Sequence, residues 1–140
     1  MIVVAVACSI ALMSTKIKPL VSIVDDDESV RDALVGLVEW LGFGVQSFES
    51  AVDFLASPSV DDTACLIADV HMPYMTGVEL QRRLVEQGRA IPTILITAYP
   101  NDAVRDGALA DGAVCYLTKP VDQEVLIGHV RSAVRHQLDP

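Results

Sequence analysis

Five side chains in this 140-residue chain stand at the ends of short apolar runs, where polar chemistry is worth asking about. Ile23-Val24 leads into Asp25-Asp26, Cys65-Leu66-Ile67-Ala68 into Asp69, Ile94-Leu95-Ile96 into Thr97, and Val114–Leu117 toward Lys119. Asp25, Asp26, Asp27 and Glu28 are four consecutive carboxylates. Like charges that close repel unless something positive sits among them. Such a run is either a solvated helix start, where acids are favoured, or half of a cation site. Asp27 and Glu28 fit the first description. Asp25 and Asp26 fit the second if another acid comes to meet them.

The elements that would position these residues follow from hydrophobic periodicity. Leu20–Val24 reads as a buried strand after Pro19, and Val30, Leu34, Leu37, Val38 and Leu41 then recur at helical spacing until Gly42 stops them. Val45–Phe48 is a second strand. Ser50 with Asp53 resembles a capping box, which predicts a short helix over Ser50–Ala56, followed by a loop over residues 57–62. Cys65–Asp69, Thr93–Thr97 and Val114–Leu117 are the remaining strands. Gly77–Glu86, Asn101–Asp111 and a stretch from Asp122 to about Gln137 are the remaining helices, the fourth with a thin apolar face (Ala103, Val104, Ala108). Near-continuous apolar strands alternating with helices predict an α/β fold, a doubly wound five-stranded parallel sheet covered on both faces.

In such a sheet ligands bind outside the carboxyl ends of the strands, where the strand order reverses. With the order 2-1-3-4-5 that point lies between strands one and three, so Asp25, Asp26 and Asp69 converge there. Thr97 and Lys119 stand on the neighbouring strands. Three acids at two adjacent strand ends have no structural task. A hard divalent cation such as Mg2+ relieves their repulsion through oxygen ligands. A hydroxyl and an ammonium beside them are donors for phosphoryl oxygens, and Asp69 is a candidate nucleophile that would give an acyl phosphate.

Composition narrows the classes. With 51% hydrophobic and 21% charged residues the chain is globular, and a formal net charge of −9 argues against direct nucleic-acid binding by this domain. Cys8, Cys65 and Cys115 are odd in number and widely spaced. They fit neither a disulfide framework nor a zinc site, so Cys65 and Cys115 read as small core residues and the expected compartment is the cytoplasm. The apolar run from Ile2 to Met13 is too short to span a bilayer, and its lysines follow it, so a membrane partner is not expected. Residues 1–17 read as an apolar N-terminal leader, 18–138 as the domain and 139–140 as a C-terminal tail.

From Pro19 to about Gln137 the chain resembles a response-regulator receiver domain of bacterial two-component signalling, through VDDDESVR (24–31), LIADVHMPYMTGVEL (66–80), ILITAYP (94–100) and YLTKP (116–120). The wording is most similar to receivers that precede a helix-turn-helix output domain. The resemblance implies a flavodoxin-like receiver fold and a signalling domain, not an enzyme, that takes a phosphoryl group from a histidine kinase onto Asp69. It further implies Mg2+ held by Asp26 and Asp69 directly, by Asp25 through water and by the backbone carbonyl of His71. Thr97 matches the switch hydroxyl, Lys119 the site lysine, and Tyr116 the aromatic whose rotamer follows activation. The implied output is homodimerisation or partner docking through the fourth helix, fifth strand and fifth helix, and a cis Lys119–Pro120 bond is expected.

The rival readings fit less well. A phosphohydrolase with a nucleophilic aspartate would carry a second acid two residues on, where His71 stands; its imidazole reads as solvent-facing. A partner-binding receiver without phosphorylation would be expected to have lost an acid or the lysine. A flavin or dinucleotide carrier would want glycines after strand one, and Gly42-Phe43-Gly44 follows a helix instead of a strand.

Overall fold

The structure, a computed structural model, describes residues 18–138; residues 1–17, expected as a leader, and residues 139–140, expected as a tail, lie outside the described residues. Five strands form one parallel sheet: β1 (Leu20–Val24), β2 (Gly44–Phe48), β3 (Thr63–Asp69), β4 (Thr93–Thr97) and β5 (Cys115–Thr118). Their order is β2-β1-β3-β4-β5, as expected, with β1 paired to both β2 and β3. The helices are α1 (Glu28–Trp40), α2 (Ala51–Leu55), α3 (Gly77–Glu86), α4 (Asp102–Ala110) and α5 (Gln123–Leu138).

Alternation along the strands divides the apolar residues between two cores. Val21, Ile23, Cys65, Ile67, Ile94 and Ile96 face α1 and α5, meeting Leu34, Val38, Leu126, Val130, Ala133 and Val134. Val24, Leu66, Ala68 and Leu95 face the other way, toward Phe54, Leu80, Leu84 and Ala108 of α2, α3 and α4. Every residue of β4 is buried, whereas the edge strands β2 and β5 are partly exposed. Only strands covered on both faces can be apolar throughout. The one polar residue inside β1, Ser22, is fully buried and shares a 2.7 Å hydrogen bond with the Thr63 hydroxyl on β3. Cys65 is buried and Cys115 half-buried, and burial pushes their thiols up to about 12 and about 11, which keeps both protonated at neutral pH.

Most boundaries follow local signals. Ser50 Oγ accepts the Asp53 N–H at 3.1 Å, and Asp122 Oδ1 accepts the N–H groups of Glu124 and Val125. The segment expected to be a loop over residues 57–62 is instead a one-turn 3-10 helix, Pro58–Asp62, whose start Ser57 caps by accepting the Ser59 N–H. The cause is visible in its residues: a serine cap with proline at the first helical position. Strand β5 starts and ends one residue later than expected, and β3 begins at Thr63. Only Ala108 of α4 is buried, so the thin apolar face is thinner still.

Candidate functional site

Asp25 is the first residue past β1, and it is held at four points. Its N–H donates to the Phe48 carbonyl at 3.1 Å, and its own carbonyl accepts the Arg31 guanidinium at 2.8 Å. One carboxylate oxygen accepts the Asp27 N–H at 2.9 Å and the other accepts Lys119 Nζ at 3.2 Å. Its side chain is wholly buried. Asp26 follows it and is exposed. Asp27 belongs to the helix: it is the N-cap of α1 and accepts from the N–H groups of Ser29 and Val30. Glu28 opens the same helix, where a negative charge suits the helix dipole.

Asp69 ends β3 and is almost fully buried. It accepts the His71 N–H at 3.3 Å, and its other oxygen lies 3.4 Å from Lys119 Nζ. Oxygens of Asp25, Asp26 and Asp69 lie within 4.8 Å of one another. Burial first, and the neighbouring Asp25 charge second, raise the Asp69 carboxyl above its ordinary value, and Lys119 pulls it partly back. Burial opposes the Lys119 charge, but Asp25 and Asp69 outweigh it, so the ammonium is held more firmly than usual. The donor set suits Mg2+: hard carboxylate oxygens only, in excess of the single lysine charge, with one of the three acids open to solvent.

The backbone packs tightly beneath this cluster. A Cβ placed on Gly77 would lie 2.4 Å from the Asp69 carbonyl oxygen, so only glycine allows the first turn of α3 to approach the end of β3. That turn is fixed by a full capping box between Thr76 and Glu79. Thr97 ends β4, fully buried, and its hydroxyl oxygen accepts the Tyr99 N–H at 3.0 Å. The Lys119 N–H donates to the Thr97 carbonyl at 2.7 Å, and the Lys119–Pro120 peptide is cis. Half-buried Tyr116 stands beside Leu95 in register, and its hydroxyl oxygen accepts the N–H of Asn101, the N-cap of α4, at 3.2 Å.

The acids, the threonine and the lysine are thus brought to one end of the sheet. His71 is exposed, and its ring meets Tyr99 edge-to-face at 5.5 Å across the mouth of the site. Met72, in the loop after β3, is buried in the core. Sequence reasoning gave no task to Arg31 or Gly77. The signals were a cation in the first turn of an acid-led helix, against the helix dipole, and a glycine at a helix's first position.

Comparison with known proteins extends these observations. A family model for the response regulator receiver domain matches residues 21–131. The chain is 40% identical over 116 residues to the response regulator protein TmoT of Ectopseudomonas mendocina, covering 83% of this chain and 53% of that protein. It is 34% identical over 118 residues to the transcriptional regulatory protein FixJ of Bradyrhizobium diazoefficiens, covering 84% and 57%. The chain therefore spans about half the length of the curated relatives it matches. Among solved structures it is similar to FixJ-N, with a TM-score of 0.76 at 37% identity over 86% of this chain and 96% of that one. Among the described residues no helix is long and apolar enough to cross a membrane.

Proposed function

The chain belongs to the response regulator receiver family, and from that premise we propose that Asp69 is its phosphorylation site, loaded by a histidine kinase in a Mg2+-dependent reaction. The observation that carries this is the buried Asp69 carboxylate paired with Lys119 at 3.4 Å and crowded by two further acids within 4.8 Å. A carboxylate oxygen of Asp69 attacks phosphorus of the donor phosphohistidine. A P–O bond forms, the P–N bond breaks, and the imidazole leaves with the electron pair. Asp26 and Asp69, with the His71 backbone carbonyl and with Asp25 through water, would hold Mg2+. When bound, it supplies charge neutralisation between the acids and the incoming phosphoryl oxygens.

The chain's own residues do the remainder. His71 N–H holds one Asp69 oxygen in place. Lys119, already shared between Asp25 and Asp69, can turn one donor to a phosphoryl oxygen without leaving the pocket. The Thr97 hydroxyl accepts from Tyr99, so its own hydrogen is free to be donated to the same group. Thr97 and Tyr116 are the switch pair, and the surface of α4, β5 and α5 is the output face, for dimerisation or for control of a partner. The domain comprises residues 18–138, acts in the cytoplasm, and assists its own phosphorylation and dephosphorylation without turning over a separate substrate. Since relatives such as FixJ are named as transcriptional regulatory proteins, the output we infer is control of transcription through another part of the protein, not nucleic-acid binding by this acidic domain.

The test is labelling with acetyl phosphate, or with a phosphorylated histidine kinase, in the presence of Mg2+. The wild-type chain should take up one acid-stable, base-labile phosphoryl group and Asp69→Asn none. Equal labelling of both would overturn the assignment, and chelation of Mg2+ should abolish the reaction.

A further inference from the structure

Arg31 is the one cation in the first turn and a half of α1, in a helix that opens with Asp27 as its cap and Glu28 behind it. A positive charge there opposes the helix dipole, so its position calls for a partner. Its half-buried side chain turns back over the helix start, and Nη1 donates to the Asp25 carbonyl oxygen at 2.8 Å. That carbonyl belongs to the same peptide plane as the Asp26 N–H, because the amide is rigid. The hydrogen bond thus grips the peptide unit from which Asp26 departs. Asp25 needs little help, being anchored through its own N–H and both carboxylate oxygens. The Asp26 side chain has no hydrogen bond to any described residue, so its direction depends on the backbone beneath it.

We propose that Arg31 is a positioning residue: by clamping the Asp25–Asp26 peptide it holds the Asp26 carboxylate over the acidic pocket and thereby sets the pocket's affinity for a divalent cation. This rests on the Mg2+ site proposed above and deepens it. Bare electrostatics predicts the opposite sign. A guanidinium beside a cation site repels the cation, so its removal would tighten binding if charge were its only influence. Positioning predicts weaker binding, and losses of groups that orient a metal ligand typically weaken affinity about 10–100-fold.

The experiment is titration of the full chain with Mg2+ and, separately, with Mn2+, by calorimetry or amide chemical shifts, for wild type, Arg31→Ala, Arg31→Gln and Arg31→Lys. Arg31→Ala should bind at least about 10-fold more weakly. Arg31→Gln and Arg31→Lys, which keep an N–H donor, should recover part of the loss. Labelling of Arg31→Ala by acetyl phosphate should be slow at low Mg2+ and approach the wild-type rate at saturating Mg2+, a pattern that general damage to the fold would not give. Unchanged or tighter binding in folded Arg31→Ala would overturn the proposal. If that variant does not fold, wild-type affinity in Arg31→Gln together with loss in a folded variant lacking any donor, Arg31→Met, still supports it, and equal affinity in both overturns it. Failure of the wild type to bind either ion would instead remove the metal site itself.

Discussion

Asp25 and Asp69 carry the same side chain at neighbouring strand ends, but their situations differ. Both carboxylates are buried and each accepts a backbone N–H, but Lys119 lies 3.2 Å from Asp25 and 3.4 Å from Asp69. The Asp69 carboxyl is raised above the ordinary 3.8, chiefly by burial and then by the Asp25 charge. A carboxyl with a raised folded-state value binds its proton more tightly folded than unfolded. Stability is then highest below the unfolded value and falls as pH rises through the folded one. Above that window the Asp69 charge is a liability, so Asp69→Asn should raise the melting temperature at pH 7 without divalent metal by a few degrees, roughly 2–5 °C. The gain should shrink toward pH 4 and shrink again with Mg2+. Thermal scans at both pH values, with and without the metal, check this; a variant that melts lower at pH 7 would contradict it. At this scale the acids, Thr97 and Lys119 were legible because each closes an apolar run, so the strand ends announced them. Arg31 was not. In the chain it is one more helix cation, and only the reach of its side chain back to the Asp25 carbonyl gives it a task.

Elements place these residues, and the tightest joint is between β3 and α3. Thr76 and Glu79 close the capping box that starts α3, and Gly77 sits directly on the Asp69 carbonyl. Gly77→Ala should force helix and strand apart, because the clash at 2.4 Å is with backbone, not with a flexible side-chain tip. A cost of about 1–3 kcal/mol is expected from overpacking, with slower labelling of Asp69 as its carboxylate shifts. Denaturant melts and initial labelling rates together measure this, and wild-type values for both would show that the joint can yield. The expected bounds of this helix, Gly77–Glu86, are the observed ones, and the Thr76–Glu79 capping box is what fixes its start. The 3-10 turn at Pro58–Asp62 was read as loop because its polar, proline-led composition satisfies both descriptions; the Ser57 cap together with the packing of Val60 into the core favours the turn. Helix α4 was readable as a helix and, from its thin apolar face, as a loosely seated one. Its burial rests on Ala108, supported by a Gln81 Nε2 hydrogen bond to the Ala108 carbonyl and an Arg82–Asp111 ion pair at the helix end.

Across the whole molecule, strand order follows from which runs are apolar on both faces: β1, β3 and β4 lie inside, β2 and β5 at the edges, and the acids then fall where the order reverses. That much was readable because patterning and topology agree at every level. The side-chain state of the proposed switch pair, Thr97 and Tyr116, was not, since rotamers depend on neighbours that no spacing reveals. Here the Thr97 hydroxyl oxygen is engaged by the Tyr99 N–H, and the Tyr116 hydroxyl oxygen is engaged by the cap residue of α4. A phosphoryl group on Asp69 would draw the Thr97 hydroxyl toward it and open space beside Leu95 on the same face of the sheet. Turning the Tyr116 ring inward would fill that space and release the Asn101 N–H, loosening the first turn of a helix that has few buried contacts to lose. Such weakly held segments are the ones a ligand can shift, and only by the difference in its affinity for the two arrangements. Beryllofluoride, standing in for the phosphoryl group, should therefore change amide exchange across residues 101–137 and strengthen self-association through α4, β5 and α5. Thr97→Ala should accept phosphate and respond weakly. Tyr116→Phe, which removes the acceptor for Asn101, should speed exchange at the start of α4 with no phosphoryl group present. Identical exchange and sedimentation with and without beryllofluoride would mean that the signal leaves Asp69 by another face.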